Sequence, residues 1–147
     1  MTEFNSKLYF SANDGIHGFE LWSCNSSNAC SMVRDIRTGE SGSSPAQLTK
    51  FNSTLYFTAS REFVSKLWSC DTNDIVVEII IGTGISSPQQ LFATSSALYL
   101  RAATSSTGHE LWRCSMTEEC SMVADLNPGG LGSNPFGIAR FNSKLYF

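Results

Sequence analysis

The sequence predicts an all-β fold of tandem four-stranded antiparallel blades, about three of them, with incomplete blades at both ends. The first observation behind this is a repeat. Phe4-Asn5-Ser6-Lys7-Leu8-Tyr9-Phe10 returns as Phe51-Asn52-Ser53-Thr54-Leu55-Tyr56-Phe57, weakens to Thr94-Ser95-Ser96-Ala97-Leu98-Tyr99-Leu100, and returns unchanged as Phe141-Asn142-Ser143-Lys144-Leu145-Tyr146-Phe147. A period of about 45 residues marks a supersecondary unit that cannot bury its own apolar face and must stack on neighbours. The second observation is local chemistry. The apolar runs are short, rich in aromatic and β-branched residues, and bounded by Gly, Asn, Asp, Ser and Pro, as strands are. The third is that no stretch sustains a helical period.

Each period carries the same elements in the same order. The Leu-Tyr-Phe strand comes first, with Leu8 and Phe10 on one face and Tyr9 on the other. Phe-Asn-Ser before it reads as a two-residue hairpin turn, since Asn tolerates positive φ. Next come Glu20-Leu21-Trp22-Ser23-Cys24, Lys66-Leu67-Trp68-Ser69-Cys70 and Glu110-Leu111-Trp112-Arg113-Cys114. The third strand element is Ser31 to Ile36, matched by Ile75 to Ile80 and Ser121 to Leu126. A Gly/Ser/Pro loop then ends at Pro45, Pro88 and Pro135, and a last short strand leads into the next Phe-Asn-Ser. The chain is thus expected to be one repeat array over 1–147, with repeats at 4–50, 51–93 and 94–140 and a partial repeat at 141–147. Short connections between antiparallel neighbours place Leu-Tyr-Phe between the Pro-to-Phe strand and the Leu-Trp strand, with the Met/Val/Ile strand at the far edge. Tandem four-stranded units of this length suggest a β-propeller-like arrangement.

The motifs that carry this reading are Leu8-Tyr9-Phe10, Asp14-Gly15, Gly18-Phe19-Glu20-Leu21-Trp22, Asp35-Ile36 and Gly42-Ser43-Ser44-Pro45. Gly108-His109-Glu110-Leu111-Trp112 and Asp125-Leu126-Asn127-Pro128-Gly129-Gly130 repeat them. In this the chain resembles the bacterial ELWxxDGT repeat proteins, sometimes called hyalin-like, over almost its whole length. The resemblance implies a secreted or surface-attached propeller-like array, and it informs architecture more than activity. The chain departs from that pattern where the DGT turn would follow each Trp. Cys24 to Cys30 and Cys114 to Cys120 stand there instead. The second repeat departs further. Lys66 replaces the glutamate, Arg61-Glu62 replaces Asp14-Gly15, and the span from Trp68 to Pro88 is shorter.

The cysteines set the compartment. Cys24 and Cys30, and again Cys114 and Cys120, sit at hairpin mouths, where opposed residues are close enough to bridge. These two disulfides are expected, leaving Cys70 as the odd thiol. Zinc is the rival explanation, but two Cys per loop without a nearby His fall short of four ligands. Paired loop cysteines argue for an oxidising setting, extracellular or at the cell surface.

Trp22, Trp68 and Trp112 recur at one register, either as filling between adjacent sheets or as sugar-stacking platforms. On the second reading Trp22, Trp112, Glu20 and Glu110 would line a ligand cleft. Asn25-Ser26-Ser27 and Asn52-Ser53-Thr54 are N-glycosylation acceptors at turns, with Asn25 and Asn52 as the candidate sites. His17 and His109 do not align between repeats and read as solvated turn residues. Asp35 and Asp125 read as caps of their own loops, and Asp14 with Asn13 as a weaker calcium candidate.

A net charge of −3, with charged residues at only 16%, leaves no electrostatic footprint for nucleic acid. The longest apolar run, Ile75 to Ile81, is broken by Glu78 and is too short to span a membrane. Nothing reads as a signal peptide, so either one is removed or the chain is part of a longer product. Met1-Thr2-Glu3-Phe4 aligns with Leu48-Thr49-Lys50-Phe51, so the chain is expected to open partway through a strand and to continue an array. The bland alternative is a cut inside a larger closed propeller. No catalytic residues, no metal and no cofactor are expected. The expected role is a non-enzymatic extracellular structural or adhesive module, partnered head to tail by identical copies or neighbouring repeats and assembling into a filament. The alternative is a glycan-binding propeller using clefts between blades.

Overall fold

The computed structural model describes residues 1–82 and 85–147. Thr83 and Gly84, in the loop expected before Pro88, lie outside the described residues. The described residues form strands and turns only, and no helix among them is long and apolar enough to cross a membrane. The chain divides into two compact units, Met1–Ile79 and Ile80–Phe147.

The first unit holds two four-stranded antiparallel sheets. The first sheet is β1 (Thr2–Phe4), β2 (Lys7–Asn13), β3 (Phe19–Cys24) and β4 (Cys30–Arg34), in that spatial order. The second is β5 (Ala46–Phe51), β6 (Thr54–Arg61), β7 (Val64–Cys70) and β8 (Val76–Ile79), again in chain order. The Leu-Tyr-Phe strand is internal and the Met/Val/Ile strand is the far edge, as the short connections require.

The turns explain the register. Asn5 and Ser6 sit at φ 48° and 58° between the paired residues Phe4 and Lys7, the left-handed geometry of a tight hairpin. Asn52 takes φ 52° in the same place. Gln47 at φ 55° accompanies a register shift between Ala46 and Thr49, so the entering strand bulges.

The core of this unit lies between the two sheets. Phe4, Tyr9, Leu21 and Ile36 come from the first sheet and the loop after it. Leu55, Phe57, Ala59, Trp68, Cys70 and Val76 come from the second, with Val33 and Leu48 packed alongside. Each large apolar side chain buried here contributes roughly 1.5–3 kcal/mol. The first sheet therefore presents its Tyr9 face, and the second its Leu55-Phe57-Trp68 face. Trp68 fills the layer between sheets, and its indole N–H donates to the Ala59 carbonyl at 3.2 Å. Trp22, at the same register, points the other way, onto the first sheet's outer face.

Polar bonds fasten the same seam. The Tyr9 hydroxyl and the Lys7 ammonium both donate to the Asp74 carboxylate at 2.5 Å. Asn5 Nδ2 donates to the Thr72 carbonyl at 2.9 Å, and Arg34 donates to the Val76 carbonyl at 2.6 Å.

The second unit holds a third sheet, β9 (Ser86–Ala93), β10 (Leu98–Thr104), β11 (Gly108–Cys114) and β12 (Cys120–Met122), ordered as in the other two. A two-stranded hairpin follows, β13 (Ala139–Phe141) and β14 (Lys144–Tyr146). Leu98, Leu100 and Ala102 are buried along one face of β10, with Trp112 and Cys114 opposite them in register. The hairpin turns at Asn142 and Ser143, φ 46° and 62°, like its N-terminal counterpart.

Candidate functional site

The most constructed polar site in each unit is a buried glutamate. Glu20 projects from β3 and is fully buried. Its carboxylate accepts the backbone N–H groups of Ile36 and Arg37 at 3.1 Å, the Ser43 N–H at 2.8 Å and the Ser43 hydroxyl at 2.5 Å. Four donors fill the lone pairs of a carboxylate. The loop from Ile36 to Ser43 is thus tied to the strand behind it. The third sheet builds the same arrangement. Glu110, fully buried on β11, accepts the Ser133 N–H at 2.7 Å and its hydroxyl at 2.5 Å, together with the backbone N–H groups of Leu126 and Asn127. Burial alone would raise the Glu110 carboxyl. The Ser133 hydroxyl and the backbone donors outweigh it and hold the group below the ordinary glutamate range.

Glycine makes the close approach possible. A Cβ on Gly18 would stand 2.4 Å from the Glu40 carbonyl oxygen, and one on Gly42 would stand 2.4 Å from the Phe19 nitrogen. Gly108 and Gly132 repeat this, with clashes at 2.5 Å and 2.4 Å. The backbones meet directly. Ser43 and Ser44 donate to the Phe19 carbonyl at 2.9 and 2.8 Å, and Asn134 donates to the His109 carbonyl at 3.0 Å.

Glu20 and Glu110 were expected as cleft residues beside Trp22 and Trp112. Their carboxylates are instead enclosed and saturated, which closes them to a ligand. Trp112 is buried and Trp22 partly exposed, and both indole nitrogens are buried without a hydrogen-bond partner. Asp35 was expected to cap its loop, but Glu20 holds that loop and Asp35 Oδ1 is buried unpartnered. Asp14 caps its own turn, accepting the N–H groups of Ile16 and His17 at 2.9 Å while its other oxygen meets His17 Nδ1 at 2.7 Å. The His17 N–H and imidazole, with the Ile16 N–H, hold the Asp14 carboxyl low. The Asp14 partner in turn raises His17. His109 is not a turn residue. It lies within β11, opposite Ala103 and partly buried, and burial with the nearby Arg101 lowers it.

Cys24–Cys30 and Cys114–Cys120 are disulfide-bonded, each with Cα atoms 4.0 Å apart and each pair directly opposed in the strand register. Cys70 is a buried free thiol. Asn25 and Asn52 are exposed at turns. The disulfide loop of the first sheet and the cysteine-free loop of the second share one turn. Asn25 Oδ1 accepts from Ser27 and Ala29 at 2.9 and 3.1 Å, and Asp71 Oδ1 accepts from Asn73 and Ile75 at 2.8 and 2.9 Å.

Shallow clefts lie at hairpin tips. One, of about 130 Å³, is lined by Thr94, Ser96, Tyr99, Arg140, Ser143 and Lys144. Another, of about 170 Å³, lies among Phe4, Asn5, Lys50, Asn52, Ser53 and Thr72. A third, of about 280 Å³, stands beside the disulfide loop of the first sheet, among Ser6, Leu8, Cys24, Asn25, Ser26 and Asn28. All are below the roughly 300–1,000 Å³ of ordinary small-molecule pockets. Ser43, Ser133 and Asp74 were not singled out from the sequence. A signal existed for the serines: Gly18-x-Glu20 accompanies Gly42-Ser43, and Gly108-x-Glu110 accompanies Gly132-Ser133, whereas Val64-x-Lys66 accompanies Ile85-Ser86. No family model matches the chain, and no curated protein matches it.

Proposed function

We propose that this chain is a non-enzymatic extracellular module, structural or adhesive, whose sheets follow one another as blades of a β-propeller-like array akin to the ELWxxDGT repeats. Identical copies or neighbouring repeats continue it head to tail. The observation that carries this reading is the twice-built glutamate lock. The residues on which the resemblance rests, Gly-x-Glu-Leu-Trp and Gly-Ser-x-Pro, meet each other inside the sheet-loop unit and use up their polar groups there. Such a motif encodes a building block. The two disulfides support an oxidising, extracellular setting. Exposed Asn25 and Asn52 leave room for glycans at turns.

One observation favours glycan binding as a second reading. The cleft at Thr94–Ser96 and Arg140–Lys144 brings hydroxyls, two cations and Tyr99 together. Glycan binding would use that cleft in place of the enclosed Glu20 and Glu110. A glycan array with the folded chain separates the readings. The structural module gives no saturable signal. A sugar-specific signal lost in Tyr99→Ala, with the fold retained, would replace it with a lectin.

A further inference from the structure

The chain forms the same Phe-Tyr ring pair three times. Phe4–Tyr9, Phe51–Tyr56 and Phe141–Tyr146 have centroids 5.8, 6.1 and 6.4 Å apart, with interplanar angles of 56°, 46° and 55°. The first two pairs are buried. The third is open, with Phe141 66% and Tyr146 51% exposed. Unit 1 shows what such a pair sits against. Phe4 and Tyr9 lie on Leu55, Phe57, Trp68, Cys70 and Val76 of the second sheet. The same registers in the first sheet are Leu8, Phe10, Trp22, Cys24 and Cys30, and that face is uncovered: Leu8 is 39% exposed, and Phe10 and Trp22 are partly exposed.

The polar fasteners have counterparts too. Asn5, Lys7 and Tyr9 bond to Thr72 and Asp74, in the loop between β7 and β8. Asn142, Lys144 and Tyr146 repeat the first set by sequence. Ser26 and Asn28 repeat the positions of Thr72 and Asp74, in a loop of the same turn geometry, with Asn28 at φ 60° and Asp74 at φ 62°. A cleft of about 280 Å³ stands open beside that loop, lined by Glu3, Lys7, Leu8, Cys24, Asn25 and Asn28. Asn28 and Glu3 are among the acceptor-bearing side chains that line it.

We infer that the outer Leu8-Phe10-Trp22 face of the first sheet receives the 139–147 hairpin of a second copy of this chain, with Phe141 and Tyr146 placed as Phe4 and Tyr9 are against the second sheet. This rests on the array reading above and names its joint. The two faces differ, so the contact is heterologous. Repeated, it yields an open chain of copies, or a ring where the rotation closes.

Sedimentation velocity across a concentration series tests it. The wild-type chain sediments as species larger than a monomer, growing with concentration. Leu8→Asp blocks the receiving face and Tyr146→Asp the inserted one. Each variant alone is a monomer, and an equimolar mixture gives a one-to-one dimer, because each retains the face the other lacks. Both positions are already exposed, so the fold is expected to survive, with circular dichroism as the check. Leu8→Ser and Phe141→Ser repeat the design should an Asp variant unfold. A monomeric wild type, a blocked variant that still assembles, or a mixture that stays monomeric would overturn the joint. A blank glycan array beside any of these results leaves the structural role standing without this contact.

Discussion

The Glu20 carboxylate binds Ser43 through two donors, the backbone N–H at 2.8 Å and the hydroxyl at 2.5 Å, across 23 residues of chain. Hydrogen bonds to a charged group are stronger than neutral ones, and a buried carboxylate left short of donors is costly. Glu20→Gln puts an amide NH₂ among backbone N–H groups, and Ser43→Ala removes one donor. Each is expected to lower stability by about 1–3 kcal/mol in urea unfolding. The double variant should fall well short of the sum, because both changes break one bond set. Strict additivity would show that the two residues do not work as a unit.

The equivalent lock at Glu110 makes stability depend on pH. Its folded carboxyl is held below the ordinary range, so the folded state binds fewer protons than the unfolded chain over acidic pH. The lock's contribution is therefore fully present above the unfolded glutamate value, about 4.3. It is lost as pH falls through the lower folded value. Thermal unfolding of the wild type and Glu110→Gln from pH 7 down to pH 2 should give melting temperatures that differ at neutral pH and converge below about pH 4. A gap that stays constant to pH 2 would assign the Glu110 effect to packing.

Much of the fold was legible because it depends on local rules written repeatedly. The recurring Phe-Asn-Ser marked hairpin tips, and strand alternation separated Tyr9 from Leu8 and Phe10. The equal spacings placed Cys24 opposite Cys30 and Cys114 opposite Cys120. The role of Glu20 was not legible because all but one of its donors, the Ser43 hydroxyl, are backbone groups 16 to 23 residues away, and backbone donors leave no letter in a sequence. Only the pairing of Gly18 with Gly42, absent where Val64 stands with Ile85, pointed to that contact. The misreading of His109 has a related cause. Gly108, at φ 64°, begins the strand β11 itself, not a turn before it, because the Gly132 backbone needs the space.

Cys70 provides a reporter of the unit 1 core. Burial pushes its thiol up to about 12, and the thiolate is the reactive form. Iodoacetamide at pH 8 should therefore leave the native chain unmodified and label one thiol per chain once denaturant is added. Peptide mapping without reductant should recover Cys24 joined to Cys30 and Cys114 joined to Cys120. Opening either loop by a paired Cys→Ser change should cost roughly 2 kcal/mol in the chain-entropy model. Rapid native labelling of Cys70 would mean that the Leu55-Trp68-Val76 layer opens readily.

The seam between the first two sheets can be probed at Tyr9. Its ring is buried against the second sheet, and its hydroxyl donates to Asp74, which also takes the Lys7 ammonium. Burial and then the Asp74 carboxylate raise the phenol, so Tyr9 is expected to ionise only when the seam opens. In an alkaline absorbance titration, the step that accompanies unfolding should release one phenolic proton fewer in Tyr9→Phe than in the wild type. Tyr9→Phe keeps the ring and removes one charge-assisted bond, so a loss of about 1–3 kcal/mol is expected. Lys7→Met, at a partly exposed pair, should cost no more than about 1 kcal/mol. A Tyr9→Phe chain as stable as the wild type would mean that the apolar layer alone holds the two sheets. The joint inferred for Tyr146 would then rest on its rings and not on its hydroxyl.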